Sequence, residues 1–264
     1  MKIIHKRLAI SFVFNILIII LFITSLIAEI VDIYNNPNSV YKNIWGLFRY
    51  FTIDGNILSL IFNIIITIKQ IKALKTPSSE DIRPLINKQF LYIISLMSAC
   101  TDLVIFIVVV LIFMPMADDT WQLALVGSYN ASSFHVTIPI LLNLRFIFLD
   151  MRERDFKLYE KLYGGIPMCL YGVIMYILCG AKVFKSFDKN EGDGKIPYPF
   201  LDVYHQDWWF CTLIALFIFV FGFGIGFLLD FLNKKFQNLI FPYAQTENVE
   251  LENNDNDIVN QEEP

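Results

Sequence analysis

The stretch "LAISFVFNILIIILFITSLIAEIV", residues 8–31, decides the fold class. One ionisable side chain, Glu29, interrupts it. As a helix rising about 1.5 Å per residue it is about 36 Å long, enough to cross a hydrocarbon core of about 30 Å. Lys2, Lys6 and Arg7 precede it, as in a secretory leader. A leader's apolar region runs only about 7–15 residues, however, and no small-residue cleavage site follows here, so the stretch is expected to be a retained span or signal anchor.

Working outward, five further apolar stretches reach spanning length: 50–71, 90–114, 130–149, 163–183 and 208–232. Strand alternation is absent, and in lipid every backbone polar group must be satisfied within the segment, so the spans are expected to be helices. The reading is an all-α polytopic membrane protein with six transmembrane helices in a domain over 1–243. Composition agrees: 56% of side chains are hydrophobic and only 17% charged, against about 25% charged in soluble domains. That excludes a soluble enzyme, a nucleic-acid-binding domain and a disulfide scaffold. Residues 245–264 hold seven of the 25 acids and no Lys or Arg. The tail 244–264 therefore reads as acidic and disordered.

Lys and Arg counts set the orientation. Fourteen of the 21 fall before the first span, in 69–88, in 152–161 and after 232; six fall on the other side, and Arg145 lies inside the fourth span. The bias predicts both termini in the cytoplasm, in either the endoplasmic reticulum or the plasma membrane. Trp45, Trp121, Trp208 and Trp209 fall near the opposite, outer ends, where indoles prefer the interface. The apolar run over 121–149 would be about 43 Å long, and its first half carries the polar "GSYNASS"; the true span is expected to begin near Asn130. Cys100, Cys169, Cys179 and Cys211 sit in or beside spans without metal-ligand spacing and read as packing residues. The sequence calls for no metal and no cofactor.

Ionisable groups in hydrocarbon are costly, which makes each a functional candidate. Glu29 and Asp230 lie near span ends and are expected at the interface. Arg145 lies about one turn from an end and is expected to snorkel. Asp102 falls near the middle of the third span. Thr52, Asp54 and Asn56 open the second, and His135 lies in the fourth. Thr52 and His135 are estimated at about 3 Å and 8 Å below the same surface, so both belong to the outer leaflet. At matched depth an imidazole can take a hydroxyl proton as the oxygen attacks a carbonyl. Each also has a plain alternative: Thr52 as a helix cap or backbone-bonded residue, His135 as an interhelical hydrogen-bonding group. No G-x-S-x-G, H-E-x-x-H or P-loop string is present. "GFGIGF" (222–227) places Gly222 and Gly226 at G-x-x-x-G spacing inside an apolar helix, which reads as close helix packing. "IPYPFLDV" (196–203) is apolar and extended by its prolines, and is expected to fold over the outer mouth of the bundle or lie flat in the headgroups.

Three segments in order, "FRYFTIDGN" (48–56), "SFHVTIP" (133–139) and "PYPFLDV" (197–203), together resemble the androgen-induced-gene and FAR-type family of six-span membrane proteins, whose members include the androgen-dependent TFPI-regulating protein, ADTRP, and bacterial relatives. Gly55 stands where the bacterial-type pattern F-T-x-x-S-N has serine. The resemblance implies an intramembrane threonine hydrolase acting on fatty acid esters of hydroxy fatty acids, with Thr52 as nucleophile and His135 as base. Asn56, at i+4 from Thr52, is a candidate oxyanion donor, and Asp102 a candidate to orient the histidine. Membrane lipids and a fatty-acid ester are then the expected partners; no protein partner is indicated. Two other readings remain open: a small-solute transporter using Asp102, His135 and Arg145, and a noncatalytic scaffold or lipid-binding protein.

Overall fold

The computed structural model describes residues 2–36, 48, 50–77, 83–86, 88–116, 126–151, 154–181 and 207–240. The segment 197–203, the tail 244–264, Trp45 and Trp121 lie outside the described residues. Among the described residues, six helices are long and apolar enough to cross a membrane. They are α1 (Lys2–Asn35), α2 (Phe51–Lys75), α3 (beginning as Gln89–Phe106), α4 (Tyr129–Leu149), α5 (Leu158–Gly180) and α6 (Trp208–Ile240). The fourth begins one residue from the expected Asn130, so the polar stretch before it is left out of the span.

Two prolines shape α3 and α4. Proline has no N–H and its ring crowds the carbonyl four residues back. Pro139 therefore leaves the carbonyl of His135 without an i+4 donor, and Ser133–Thr137 widens to a π-turn in which the N–H of Ile138 reaches back to the carbonyl of Ser133. Pro115 does the same to Ile107–Phe113, where the N–H of Met114 reaches the carbonyl of Val109. In both helices the π segment ends two residues before the proline. Neither turn was expected from the sequence, although both prolines were visible inside apolar runs.

The bundle is apolar outside, and the inward faces of α1 and α2 carry polar side chains. On α1, Val13 (55% exposed), Leu17 (47%) and Ile20 (52%) face outward. On its opposite face Arg7, Ser11, Asn15, Ser25 and Glu29 are buried. On α2 the buried face runs Gly55, Asn56, Ser59, Asn63, Thr67 and Gln70, a spacing of three or four residues that keeps one side turned inward. An outward apolar stripe over a polar interior suits lipid as the solvent.

Helix α4 is shared between two apolar clusters. Ile18 and Phe22 of α1, Ile53 of α2, and Phe134, Ile138 and Leu142 of α4 form one. Tyr92, Leu96 and Cys100 of α3, Phe146 of α4, Met168 of α5 and Leu229 of α6 belong to the other. Small residues let the backbones approach. A Cβ on Gly226 would meet the carbonyl oxygen of Lys161 at 2.5 Å, and one on Gly164 would meet Cys100 Sγ at 2.5 Å. The G-x-x-x-G spacing on α6 is thus a seat for the start of α5, a close-packing role and not a nucleotide loop.

The first turn of α1, the last of α4 and the last of α6 share one end of the bundle. Arg7 donates to the carbonyl oxygens of Leu149 (2.9 Å) and Asp150 (3.1 Å), and Asn233 donates to those of Phe146 (2.6 Å) and Asp150 (3.1 Å). These side chains satisfy carbonyls that the end of α4 would otherwise leave open, and the guanidinium suits the negative end of the helix dipole. We call this the basic end; Thr52 lies at the other.

Candidate functional site

Thr52 is the second residue of α2, after Tyr50 enters in an extended conformation. Thr52 is half-buried. Its hydroxyl has no hydrogen bond among the described residues, so it is neither a helix cap nor bonded back to the preceding turn. His135 is half-buried in the π-turn of α4. That turn packs against α1, α2 and α3, so Thr52 and His135 stand on elements that touch. No direct hydrogen bond joins the two side chains.

The two candidate supporting residues are engaged elsewhere. Asn56 is 1% exposed, and its Nδ2 donates to the carbonyl oxygen of Thr52 at 2.5 Å. The amide assigned from sequence to an oxyanion is therefore spent on the backbone one turn away, and it fixes that first turn of α2. The other amide atom, Oδ1, is buried with no hydrogen-bond partner among the described residues. Asp102 is fully buried and accepts from Ser59 Oγ across the α2–α3 contact, not from His135. Its Oδ1 also has no hydrogen-bond partner among the described residues.

A narrow slot in the same half of the bundle is lined by Phe22 and Leu26 of α1, Ile53, Asn56, Ile57 and Leu60 of α2, and Phe134 of α4; neither Thr52 nor His135 is part of its lining. Ile53 adjoins Thr52 in sequence and Phe134 adjoins His135. The slot is apolar apart from Asn56. At this end Glu29 is buried and accepts from Asn130, which ties the outer part of α1 to the start of α4.

A second polar centre lies toward the basic end, and it corrects the expectation for Arg145. The side chain is 0% exposed and does not snorkel. Nη1 donates to Asn15 Oδ1 of α1 and Asn63 Oδ1 of α2; Nη2 donates to Ser95 Oγ of α3 and lies 3.2 Å from Asp150 Oδ2. One guanidinium thus ties three helices to its own. The planar fork makes this possible, since it offers five donors in fixed directions. Around it Asn15 donates to Gln70 Oε1 (2.8 Å), and Gln70 donates to Ser11 Oγ (2.9 Å). Asp230 is likewise buried, with Lys161 Nζ 2.9 Å from its carboxylate. Asn15, Ser59, Asn63, Gln70 and Ser95 were not singled out from sequence. The available signal was their spacing, Arg7-Ser11-Asn15 on α1 and Asn56-Ser59-Asn63-Thr67-Gln70 on α2.

Among the described residues no three His, Cys, Asp or Glu side chains gather as a metal site would require. Comparison with protein-family models, curated proteins and solved structures finds no match to this chain.

Proposed function

We propose that the chain is an intramembrane lipid-ester hydrolase, with Thr52 as nucleophile and His135 as general base. The observation that carries the reading is the junction of α2 with the π-turn of α4: a half-buried threonine, whose hydroxyl has no hydrogen bond among the described residues, and a half-buried histidine stand on these touching elements, and the sequence neighbours Ile53 and Phe134 line an apolar slot. π-turns inside α-helices occur frequently at functional sites. The likeness of three segments to the androgen-induced-gene and FAR-type family points the same way, with a fatty acid ester of a hydroxy fatty acid as the substrate class.

In this reaction Thr52 Oγ1 attacks the ester carbonyl while His135 takes its proton. The tetrahedral intermediate collapses, the C–O bond to the alcohol breaks, and His135 returns the proton to the departing oxygen. A water deprotonated by His135 then attacks the acyl-threonine ester, the bond from the acyl carbon to Thr52 Oγ1 breaks, His135 returns the proton to Oγ1, and the acid is released. The slot lined by Phe22 and Phe134 receives one chain of the lipid after those rings move aside. Laterally entering substrate needs no aqueous tunnel. By the Lys and Arg bias we assign the basic end, and with it both termini, to the cytoplasm.

The test is hydrolysis of a panel of lipid esters by the purified full chain, together with labelling by a fluorophosphonate probe. Thr52→Ala and His135→Ala should each abolish turnover, and Thr52→Ala should abolish labelling. Turnover that survives Thr52→Ala refutes the assignment. The polar column along α2 from Asn56 to Gln70, continued by Arg145 and Asp150, favours a second reading as a transporter of a small solute or proton. Uptake into proteoliposomes that persists in Thr52→Ala, in a chain without esterase activity, would select it.

A further inference from the structure

A cavity of about 40 Å³ opens at the basic end between α1, α2, α3 and the last turn of α4. Its lining includes the polar side chains of Ser11, Lys69, Gln70, Tyr92, Ser95 and Asp150, and apolar walls at Leu8, Ile66 and Leu91. By volume it holds about three waters, or the outward oxygens of one phosphate. Lys69 lies about 26 Å along α2 from Thr52, so the cavity is separate from the proposed hydrolytic site and stands independently of that reading.

Among the described residues, Arg7, Lys69 and Arg145 lie at or beside the cavity with one carboxylate, that of Asp150. That carboxylate is already held by Arg145 at 3.2 Å and by the Ser95 hydroxyl. Arg7 spends its donors on the carbonyl oxygens of Leu149 and Asp150. Lys69 has no ion pair or hydrogen bond among the described residues. Ser11 Oγ accepts from Gln70 at 2.9 Å and keeps its own hydrogen for a ligand. Lys72, Lys75 and Lys88 lie exposed nearby on the same helices and add positive potential. Lys69 is six residues, about 9 Å, from the end of α2.

From a cavity with an unpaired ammonium and a hydroxyl donor on one side and aliphatic walls on the other, we propose a binding site for the phosphate group of an anionic membrane phospholipid, with Lys69 as its ion partner and Ser11 as a donor. Basic pockets between transmembrane helices are the usual form of such sites. The apolar walls at Leu8, Ile66 and Leu91 take the start of an acyl chain, which a free anion would leave unused.

The experiment titrates the purified full chain in a neutral detergent with short-chain phosphatidylglycerol, with phosphatidylcholine of the same chain length, and with inorganic phosphate. Binding is read by native mass spectrometry and by thermal shift. Phosphatidylglycerol should bind saturably and raise the melting temperature more than phosphatidylcholine. Lys69→Gln should weaken it about fivefold, the factor expected for one cation at a membrane surface. Lys69→Arg should restore it, which separates charge from fold, and Leu91→Trp should block it by filling the apolar wall. Equal responses to the two lipids, or an unchanged affinity in Lys69→Gln, would overturn the proposal. Inorganic phosphate reproducing the full effect would also overturn it, because the occupant would then be an anion and not a lipid.

Discussion

Replacing Arg145 with methionine removes every donor of the guanidinium and keeps an unbranched apolar stem of similar reach. Three hydrogen bonds to neutral acceptors on three other helices are lost, those to Asn15, Asn63 and Ser95. Interhelical hydrogen bonds in membranes average about 0.6 kcal/mol, so together they contribute roughly 2 kcal/mol. The fourth partner is Asp150, 3.2 Å away and 10% exposed. Removing one member of a fully buried ion pair costs about 3–5 kcal/mol. Asp150 keeps its bond from Ser95 and sits at the end of α4, where water reaches it, so about 1–2 kcal/mol is the appropriate share. The sum is a loss of about 3–4 kcal/mol in Arg145→Met.

Reversible unfolding in mixed micelles, titrated with a denaturing detergent and followed by tryptophan fluorescence, measures this loss. Arg145→Lys should recover less than half of it, because a single ammonium cannot reach four acceptors on four elements. Asp150→Asn in the Arg145→Met background should be less harmful than Asp150→Asn alone, since the pair is already broken. A loss below about 1 kcal/mol in Arg145→Met would refute the buried network. That is the size expected of a guanidinium that reaches the interface and holds nothing together.

Four further outcomes follow from named contacts. Gly226→Leu should destabilise by about 1–3 kcal/mol, because even its Cβ would press on the carbonyl oxygen of Lys161; the same unfolding assay measures it. Gly224→Ala, where nothing lies within 4 Å of the added carbon, should be neutral or slightly stabilising by the same measure. Pro139→Ala restores the N–H that His135's carbonyl lacks and should convert the π-turn to α-helix, swinging His135 relative to α2; the expected result is lost hydrolysis with retained thermal stability. A chain ending at Tyr243 should keep its stability and lipid-ester turnover, because the acidic tail has too little apolar content to offset an ordering cost of about 1–2 kcal/mol per residue.

The spans were legible because lipid imposes a length and an apolar composition on each helix separately, and both can be read one segment at a time. Residues 130–149 fell within one residue of the observed helix for that reason. The ends were less legible: α1 runs to Asn35 and α6 to Ile240, since a helix continues into the headgroup region where residues such as Asp32 and Lys234 are no longer penalised. Arg145 shows what depth alone leaves out. One turn from the end of α4 it has a route to the interface, and an isolated helix would take it. In the bundle it is held by acceptors that α1, α2 and α3 supply, and no property of α4 encodes them. The information was instead distributed over three segments, as polar residues recurring every three or four positions on each. The same distinction governs Thr52 and His135. Their matched depth follows from the spans and is readable; which way each side chain turns around its helix axis depends on packing and, for His135, on a π-turn that Pro139 imposes. Depth therefore brings the two residues to touching elements, and rotation decides whether a hydroxyl and an imidazole act together.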